Sequence, residues 1–491
     1  MPSGVIASTH SVDEWEPREK DIKRYIHFDR AISLKKIQKL ANDPLAVSQH
    51  PFFPLLRFYE KWTKFRDPKK PKKTKVRSLR YASRLDAAIY ACYRHKLSKC
   101  YEEALIRRGI ADVPVAYRRI PKASGGNKCN IDIAKDVFSF IKNTGNCIVT
   151  VVDIKSYFES LDHKIIKYIW EELLGETLPR DHLAVFKSLT KYCIVDVDKI
   201  FSRLKLTEKV NVGVRREARQ RRVDTLRANG YRQICSPQEF RNVIAGADGN
   251  YPSLIQKNGF EFGIPQGTPI SDLVANFYLI DFDKEVNDYV QALGGMYRRY
   301  SDDIIVVIPV RENTTFDGMK NYLQANIKKY GARLRIQDKK VCIGEFKNST
   351  TNLDYSHLFG EASKNGLEYL GFEYDGQDVK IKNSTLSNAW RKLKRKSYGH
   401  AWRFVVRYKD KGELWIRNNY PHAYLEKKML QNVTFNQDNG FESWTFVKYA
   451  QRASKTFLGF NPIFSQQTRR YRRMTKTIIQ NDLNKAIAKY L

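Results

Sequence analysis

Residues 147–153 read Cys-Ile-Val-Thr-Val-Val-Asp, and this stretch decides the fold. Its unbroken run of apolar and β-branched side chains is typical of a strand that is buried on both faces. Asp153 follows the run directly, so its carboxylate is expected at a strand end, where open sheets place ligands. The sequence therefore predicts a buried strand that carries a carboxylate to the edge of a sheet.

A second buried strand is predicted at residues 304–308, Ile-Ile-Val-Val-Ile, directly after Asp302 and Asp303. An isolated Asp-Asp pair is more often a polar turn. Adjacent carboxylates repel each other, however, and a fold keeps them at the mouth of an apolar strand when a divalent cation neutralises them. Together with Asp153 they make three carboxylates on one sheet. Such a set suits two Mg²⁺ ions, which prefer oxygen ligands and assist in-line displacement at phosphorus.

The composition describes a large, strongly basic chain. It has 491 residues, of which 42% are hydrophobic and 12% aromatic, so wholesale disorder is excluded. A single core stops growing near about 250–300 residues, so more than one lobe is expected. The 87 Lys and Arg residues against 53 Asp and Glu give a net charge of +34. This excess indicates a polyanionic partner, with nucleic acid as the first candidate and an anionic membrane face as the second.

The positive charge is concentrated toward the C-terminus. Residues 380–491 hold 24 Lys and Arg against 6 Asp and Glu, and further basic clusters lie at 64–77 and 205–232. Phosphate contact is the functional interpretation of these clusters. The alternative is a solvated charged surface, and 64–77 also suits a nuclear-localisation signal.

Several classes of protein are excluded by what the sequence lacks. It has no run of about 18 apolar residues, so no membrane span is expected. Its first 20 residues contain no apolar segment of the kind found in secretory signals. None of its seven cysteines is spaced Cys-x-x-Cys, which argues against a zinc ribbon or a disulfide framework. We therefore expect a cytoplasmic protein with reduced thiols.

Periodicity and turn residues predict further elements. An Asp375-Gly376 pair between apolar runs favours a tight hairpin turn. The other predictions are helices within 12–60, over 81–108 and over 131–143, a strand over 113–120 and a turn at 124–127.

Several short motifs, which occur in a defined order along the chain, resemble those of a known protein family. Residues 151–158 (Val-Val-Asp-Ile-Lys-Ser-Tyr-Phe), 263–271 (Gly-Ile-Pro-Gln-Gly-Thr-Pro-Ile-Ser) and 300–303 (Tyr-Ser-Asp-Asp) resemble the palm motifs A, B and C of reverse transcriptases. Residues 334–340 resemble motif D and 367–372 resemble motif E. Upstream, residues 116–122 resemble the fingers strands and 86–90 the preceding helix. The resemblance spans roughly residues 80–380.

The resemblance implies an α+β fold, the right-hand polymerase. It divides the chain into an N-terminal helical extension (1–60), fingers (61–145), a palm (146–378) and a helical basic thumb (379–491). The palm would be an antiparallel sheet with helices packed behind it and a basic insertion near 200–255. In the thumb, cations alternate with aromatic residues such as Trp390 and Trp402, which suits phosphates and stacked bases. A helical core stripe explains these aromatics equally well.

The resemblance also implies catalytic roles. Asp153 and Asp302 would be the principal ligands of two Mg²⁺ ions, or of Mn²⁺ in their place. Asp303 would support them, and the backbone carbonyl of Ile154 would complete a metal shell. Lys340 would be the general acid that protonates pyrophosphate, although the neighbouring Lys339 leaves this assignment one residue uncertain.

Substrate-binding residues are implied in the same way. Phe158, five residues after Asp153, falls where the family places an aromatic ring against the sugar 2′ position, which predicts deoxynucleotide selection; ordinary core packing is the alternative. Surface solvation is the alternative for the basic residues. The remaining assignments are Gln266 and Gly267 for the nucleotide or template, Arg118, Arg119 and Lys122 for the triphosphate, and Tyr300, Gly371, Arg391 and Arg395 for primer and template.

Within the family, the chain most resembles the bacterial "unknown group" of defence-associated, abortive-infection-like enzymes, which are related to group II intron and retron reverse transcriptases. The pieces that carry this resemblance are Asp-Ala-Ala-Ile-Tyr (86–90), Ala-Tyr-Arg (116–118) and Ile-Asp-Ile-Ala-Lys (131–135). The Asn-Ala-x-x-His and Val-Thr-Gly signatures of retron enzymes are absent. The implied function is RNA-directed DNA synthesis from dNTPs in antiphage defence, with a cognate non-coding RNA and a DNA product; a homo-oligomer is compatible with it.

Other functions remain open. The same palm site could perform protein-primed or template-independent DNA synthesis. An RNA-dependent RNA polymerase shares the palm carboxylates, although Phe158 and the Gln266-Gly267 pair argue against it. A non-catalytic RNA-binding scaffold is the third alternative. The three intact carboxylates argue against a scaffold, because their mutual repulsion is costly without a metal.

Overall fold

The computed structural model describes residues 14–63 (apart from 22 and 24), 74–206, 233–350 (apart from 313), 352–431, 434–435, 443–444 and 446–491. The basic cluster at 205–232, within the insertion predicted near 200–255, therefore lies almost wholly outside the described residues, and so does most of the basic cluster at 64–77. The described residues fall into two compact units. The first lies within 1–117, 154–285 and 324–335, and the second within 118–153, 286–323 and 336–491.

Strands and helices alternate irregularly along the chain, so the fold is mixed α+β, as predicted. The strands are β1 Leu55–Thr63, β2 Thr74–Tyr81, β3 Cys147–Asp153, β4 Cys193–Asp196, β5 Gln256–Lys257, β6 Met296–Tyr300, β7 Asp303–Pro309, β8 Cys342–Asn348, β9 Leu353–Phe359, β10 Leu367–Tyr369, β11 Phe372–Tyr374, β12 Asp378–Ile381, β13 Thr434–Phe435, β14 Ser443–Trp444 and β15 Asn461–Pro462.

The helices vary from single turns to seven turns. They are α1 Leu34–Asn42, α2 Pro44–Ser48, α3 Arg84–Arg107, α4 Asn130–Thr144, α5 Tyr157–Ser160, α6 His163–Leu174, α7 Arg180–Thr190, α8 Val197–Arg203, α9 Pro237–Glu239, α10 Ser271–Tyr278, α11 Ile280–Ala292, α12 Gly318–Asn326, α13 Asn383–Tyr408, α14 Glu413–Asn419, α15 His422–Gln431, α16 Phe446–Thr456, α17 Phe464–Thr468 and α18 Tyr471–Tyr490.

The second unit is built on a five-stranded sheet in the order β6-β7-β3-β8-β9, in which every pair of neighbours is antiparallel. The apolar runs at 147–152 and 304–308 form its interior strands β3 and β7, as predicted, because both faces of these strands are covered. Helices lie against one face of the sheet. A cavity of about 150 Å³ there is lined by Ile148 and Thr150 of β3 and by Tyr289 and Met319 of the helices.

A second sheet in the same unit has the order β10-β11-β12-β15 and contains the predicted hairpin. Strands β11 and β12 pair antiparallel across Asp375-Gly376. Gly376 must be glycine, because its φ is +97° and a Cβ atom there would lie 1.8 Å from the carbonyl oxygen of Leu353. Phe138 of α4 stacks on Tyr374 of β11 with ring centres 5.1 Å apart, which joins this sheet to a helix.

The C-terminal part of the second unit is mainly helical. The buried positions of α13 recur every four residues, at Ala389, Leu393, Ser397, Ala401 and Val405, and form a narrow stripe of mostly small side chains. Helix α13 packs against α18. Trp390 and Trp402 each lie against a ring of α18, with ring centres 5.3 Å from Tyr471 and 6.5 Å from Tyr490 respectively, and their stacking on bases stays a prediction.

The first unit has a four-stranded sheet in the order β2-β1-β4-β5. Strands β1 and β2 are antiparallel, β1 and β4 are parallel, and β4 and β5 are antiparallel. A core of buried side chains that includes Phe28, Leu56, Val195 and Phe201 covers this sheet.

Two predictions of local structure are wrong. Residues 113–120 form turns instead of a strand. The side chains of Val113, Val115 and Ala116 are buried, but Pro114 has no N–H to donate to a ladder, and the exposed Tyr117 has a left-handed φ of 59°. Among the described residues of 12–60, α-helix is confined to α1 and α2, a short 3-10 helix lies at Glu19–Asp21, and residues from Leu55 onward belong to β1. The helices predicted over 81–108 and 131–143 are confirmed as α3 and α4, whereas the division into fingers, palm and thumb stays a prediction.

Candidate active site

The candidate active site lies at one end of the five-stranded sheet in the second unit. The antiparallel register of β3 and β7 ends with Asp153 opposite Asp303. Strands β6 and β7 form a hairpin in which Tyr300 pairs with Asp303, so Asp302 lies in the turn. We call Asp153, Asp302 and Asp303 the carboxylate cluster. The sheet thus brings together side chains about 150 positions apart in the sequence.

The hairpin turn is held in a strained conformation. Ser301 has a φ of 61°, in the left-handed region that non-glycine residues adopt at a cost of about 1–3 kcal/mol. Arg299 is fully buried, and its guanidinium donates a hydrogen bond of 3.1 Å to the carbonyl oxygen of Ser301. A buried charge is thus used to hold the turn that presents Asp302 and Asp303. The sequence interpretation missed Arg299; a cation at the alternating buried position of β6 was the available signal.

The three carboxylates lie close enough to affect one another. Asp153 is 8% exposed, whereas Asp302 is half-buried and Asp303 is exposed at the turn. Partial desolvation, together with the negative charges of Asp302 and Asp153, raises the pKa of Asp303 to about 7. Lys340 acts in the opposite direction. Burial and mutual repulsion therefore both act against the charged form of Asp303, with burial the larger cause.

Lys340 is the lysine that contacts the cluster. Its Nζ atom lies 2.5 Å from Oδ2 of Asp153. The neighbouring backbone is anchored at the same point, because the amide of Gln337 donates to the carbonyl oxygen of Asp153 at 2.8 Å. The structure therefore places Lys340, and not the adjacent exposed Lys339, against the carboxylates. Its role as a general acid stays a prediction.

A buried tyrosine lies beside the cluster and was missed at the level of sequence. The hydroxyl group of Tyr369 is buried without a hydrogen-bond partner in the described part of the chain. Burial raises the pKa of this hydroxyl above its usual range, while the nearby charge of Arg298 lowers it and that of Asp303 raises it. Tyr369 lies within the residues that resemble motif E, yet nothing in that motif alone indicates that its hydroxyl is buried within electrostatic reach of Asp303.

The turn that follows Tyr369 contains Gly371, which has a φ of +93°. The carbonyl oxygen of Gly371 accepts a hydrogen bond of 3.0 Å from the amide of Lys382. The side-chain amide of Asn130 donates to the carbonyl oxygen of Leu370 at 3.2 Å and to the hydroxyl of Tyr449 at 3.0 Å. Two separate segments therefore hold this turn, through Lys382 and Asn130, and the primer contact assigned to Gly371 stays a prediction.

Three predicted substrate residues belong to the first unit. Phe158 lies in α5 and is 8% exposed, and its carbonyl oxygen accepts from the amide of Ile264 at 2.9 Å. The carbonyl oxygen of Gln266 accepts from the amide of Arg80 at 3.0 Å. Gly267 has a φ of +117°, and a Cβ atom there would lie 2.4 Å from the carbonyl oxygen of Arg80. Glycine at this position is therefore required by packing against β2, whatever its role toward a ligand.

The other predicted basic residues differ in exposure. Lys122 forms an ion pair of 2.7 Å with Asp132, so part of its charge is already balanced. Arg119 is exposed and Arg118 half-buried. Arg391 and Arg395 lie on the exposed side of α13, where Arg391 donates to Asn388 at 3.0 Å. Their assigned contacts with nucleotides, primer and template stay predictions.

The donor set suits a hard divalent cation. Carboxylate oxygens are the ligands that Mg²⁺ prefers, and a bound cation would relieve the repulsion that, after burial, contributes to the raised pKa of Asp303. Among the described residues, no group of three or more His, Cys, Asp or Glu side chains has the spacing of a preformed metal site. In this arrangement the ammonium group of Lys340 supplies the positive charge beside Asp153. The described helices also include none that is long and apolar enough to cross a membrane.

Comparisons with known proteins add a distant structural likeness. No protein-family model and no curated protein sequence matches the chain. Among solved structures, apo telomerase from Candida tropicalis is 14% identical, with 89% of this chain and 62% of that chain covered and a TM-score of 0.36. Telomerase from Candida albicans in complex with a TWJ fragment of telomeric RNA is 12% identical, with 93% and 65% covered and a TM-score of 0.34. The match spans less than two thirds of either telomerase chain, and such TM-scores do not establish a common fold.

Proposed function

We propose that the protein is an RNA-directed DNA polymerase that joins deoxynucleotides at the carboxylate cluster with the help of Mg²⁺. The observation that carries this proposal is the convergence of Asp153, Asp302 and Asp303 at the end of β3 and the β6–β7 turn. A strained turn and a carboxyl group with a raised pKa are features that folds retain where a ligand stabilises them.

The chain's own groups supply distinct parts of this chemistry. Asp153 and Asp302 would hold the divalent cations, with Asp303 supporting them. The cations would polarise the phosphoryl group and lower the pKa of the attacking 3′-hydroxyl. Lys340 has a proton to give and would deliver it to the departing pyrophosphate. For that the ammonium group must move from Asp153, because a divalent cation would take its place against the carboxylate.

The proposed template is RNA. The support is the net charge of +34 and the exposed cations of α13. The motif resemblance extends the proposal to an enzyme of the bacterial defence-associated group that works in the cytoplasm with a cognate non-coding RNA. The assignment of fingers, palm and thumb belongs to the same proposal.

An incorporation assay tests the proposal. The full chain is purified with the nucleic acid that accompanies it and supplied with each dNTP singly, with all four together, and with the four NTPs. We expect DNA synthesis that needs Mg²⁺ or Mn²⁺, stops in EDTA, and is lost after RNase treatment. Sequencing of the bound RNA and of the product identifies the template.

The other outcomes separate the competing functions. Incorporation of NTPs alone would indicate an RNA polymerase. Synthesis that survives RNase indicates a template-independent enzyme, and product attached covalently to the chain indicates protein priming. If no nucleotide is incorporated but RNA binding is intact, the result would indicate a non-catalytic RNA-binding scaffold.

Phe158 provides a second test, because we propose that its ring excludes a ribose 2′-hydroxyl. Phe158→Ala is expected to increase the use of NTPs relative to dNTPs by at least about tenfold. Phe158→Tyr keeps the ring and serves as the matched control. Because Phe158 is buried, a melting curve must show that the alanine variant is folded. If a folded Phe158→Ala protein still discriminates between dNTPs and NTPs as before, the proposal that the Phe158 ring excludes the ribose 2′-hydroxyl is contradicted.

A further inference from the structure

A second charged site lies wholly within the first unit. It is a cleft of about 340 Å³ between the start of α5 and the segment 333–335, and we call it the cationic cleft. Its lining includes the cations Lys155, Arg333 and Arg335, together with Ser156 and Ser160. None of these residues has a role in the proposed function above.

The walls of the cationic cleft are tied together by backbone hydrogen bonds. The amide of Lys155 donates to the carbonyl oxygen of Arg335 at 2.8 Å, which joins the two walls directly. On the other side, the amide of Gly263 donates to the carbonyl oxygen of Leu161 at 2.7 Å. A Cβ atom on Gly263 would lie 3.2 Å from the carbonyl oxygen of Glu159, so the chain passes close to α5 there. The cleft is therefore preformed and needs little ordering to accept a ligand.

Arg333 is positioned by an aromatic ring. Its guanidinium carbon lies over the ring of Phe262, 3.6 Å from the ring centre. A guanidinium held in this way keeps its N–H donors free, because the ring engages only its face. Leu334 is fully buried between two exposed arginines, so Arg333 and Arg335 both project away from the core.

The charges in the cleft are unbalanced. Within the part of the chain that the structure describes, no carboxylate forms an ion pair with Lys155, Arg333 or Arg335. Glu159 also lines the cleft, and subtracting its charge leaves a net charge of about +2. Three cations and the hydroxyl of Ser156 line one concavity and are the kinds of donor that bind phosphate oxygens, whereas the hydroxyl of Ser160 already donates to the carbonyl oxygen of Ser156 at 3.0 Å.

The size of the cleft favours a small polyphosphate. Its volume is at the lower end of the range, roughly 300–1,000 Å³, found for small-ligand sites. A groove for a nucleic-acid strand would instead be elongated and would offer open aromatic faces to successive bases. Here Phe262 already has a guanidinium over one face.

We propose that the cationic cleft binds a polyphosphate, either inorganic pyrophosphate or the triphosphate of a nucleotide, and that it does so without a metal ion. The inference goes beyond the proposed function, because binding requires neither the carboxylate cluster nor polymerisation. Pyrophosphate and nucleotide share the same recognition chemistry, and the experiment distinguishes them.

Isothermal titration of the full chain in EDTA tests the proposal. Without divalent cations the carboxylate cluster repels polyphosphates, so binding reports on the cleft. The probes are inorganic pyrophosphate, inorganic tripolyphosphate and dATP. A preference for dATP over tripolyphosphate would identify a nucleotide, and equal affinities would identify the phosphate chain alone. Asp302→Asn should bind each probe with unchanged affinity, which separates this site from the proposed catalytic function.

Variants of the cleft provide the decisive comparison. Arg333→Gln and Arg335→Gln should each weaken binding by about tenfold, the loss expected for one charge-assisted contact. Phe262→Leu removes the ring beneath Arg333 and should weaken binding by about threefold. The matched control is Arg180→Gln with Lys187→Gln, two exposed cations of α7, which should leave affinity unchanged. Because Arg333 and Arg335 are exposed, the variants Arg333→Gln and Arg335→Gln should have the same melting temperature as the unmodified chain.

Three results would overturn the proposal. The first is no binding of pyrophosphate or tripolyphosphate by the unmodified chain at millimolar concentration. The second is an equal loss of affinity in the α7 control, which would indicate diffuse attraction by the net charge. The third is binding of a short single-stranded oligonucleotide that depends on Arg333 and Arg335 while no polyphosphate binds, which would make the cleft a strand contact.

Discussion

The carboxylate cluster and helix α13 use charge in opposite ways. The cluster gathers like charges at the end of a buried sheet, where desolvation and then the neighbouring negative charges raise the pKa of Asp303 to about 7. Helix α13 spreads its cations over exposed positions and buries a separate stripe of small side chains. A charged side chain in water costs little free energy and identifies a binding partner only in general terms. Charges that a fold retains at a cost in free energy point to a particular ligand.

The largest expected effect is on catalysis, and it follows from removing a charge from the carboxylate cluster. Asp302→Asn and Asp153→Asn should each lower dNTP incorporation by at least about a thousandfold, since each removes an anionic ligand for the cations. Incorporation is measured as product formed by the purified chain at saturating Mg²⁺. Arg391→Gln on α13 is the control and should retain activity within about tenfold. Activity in Asp302→Asn close to that of the unmodified chain would remove the carboxylate cluster from the mechanism.

The next effect concerns stability and pH. The folded state holds a proton on Asp303 up to about pH 7, whereas the unfolded chain releases it near its ordinary pKa of about 3.9. Between these values the folded state binds more protons, so the free energy of unfolding falls as pH rises through this window. In EDTA at pH 8, Asp303→Asn should therefore be more stable than the unmodified chain by about 1–2 kcal/mol, after allowance for solvent screening at an exposed group.

Urea unfolding at several pH values measures this difference. At pH 4 the two proteins should have equal stability, because Asp303 is then protonated in the folded state and half-protonated in the unfolded chain. A gain that is the same at pH 4 and pH 8 would show that asparagine stabilises the turn for a reason other than charge.

The smallest effect is expected on α13. Arg391→Gln with Arg395→Gln should weaken binding of single-stranded RNA by about 1 kcal/mol and lower the slope of log K against log salt by about 1.4, since each phosphate contact contributes about 0.7. Fluorescence anisotropy at several salt concentrations measures both quantities. The double variant Arg180→Gln with Lys187→Gln carries the same change in charge on α7. If the salt slope of the α13 variant is unchanged, Arg391 and Arg395 do not contact RNA phosphates and are only solvated.

Local patterns were a good guide to the strands and a weaker guide to the N-terminal half. The β-branched runs of β3 and β7 and the hairpin at Asp375-Gly376 followed from side-chain period and turn chemistry, which are properties of consecutive residues. The strand predicted over 113–120 was wrong because apolar side chains can be buried without a strand ladder when the backbone includes Pro114. β1 was missed because its partners β2 and β4 come later in the chain.

The candidate site divides in the same way. The three aspartates were identified from the strands that carry them, and their placement at one sheet end is confirmed by the register of β3 with β7. The choice of Lys340 over Lys339 needed a turn that only the fold defines. The hydroxyl of Tyr369 beside the aspartates could not be foreseen either, because its burial depends on residues far away in the sequence.

The sequence by itself determined the buried strands, the carboxylates at their ends, the positive charge and the order of the motifs, because each is written in residue type and short-range spacing. The tertiary structure alone decided which groups meet. It placed Asp303 opposite Asp153, buried Arg299 beneath the hairpin turn and brought residues 155–160 to segment 333–335. Such contacts join segments more than a hundred residues apart in several cases, and they depend on the packing of the whole unit, which no local pattern encodes.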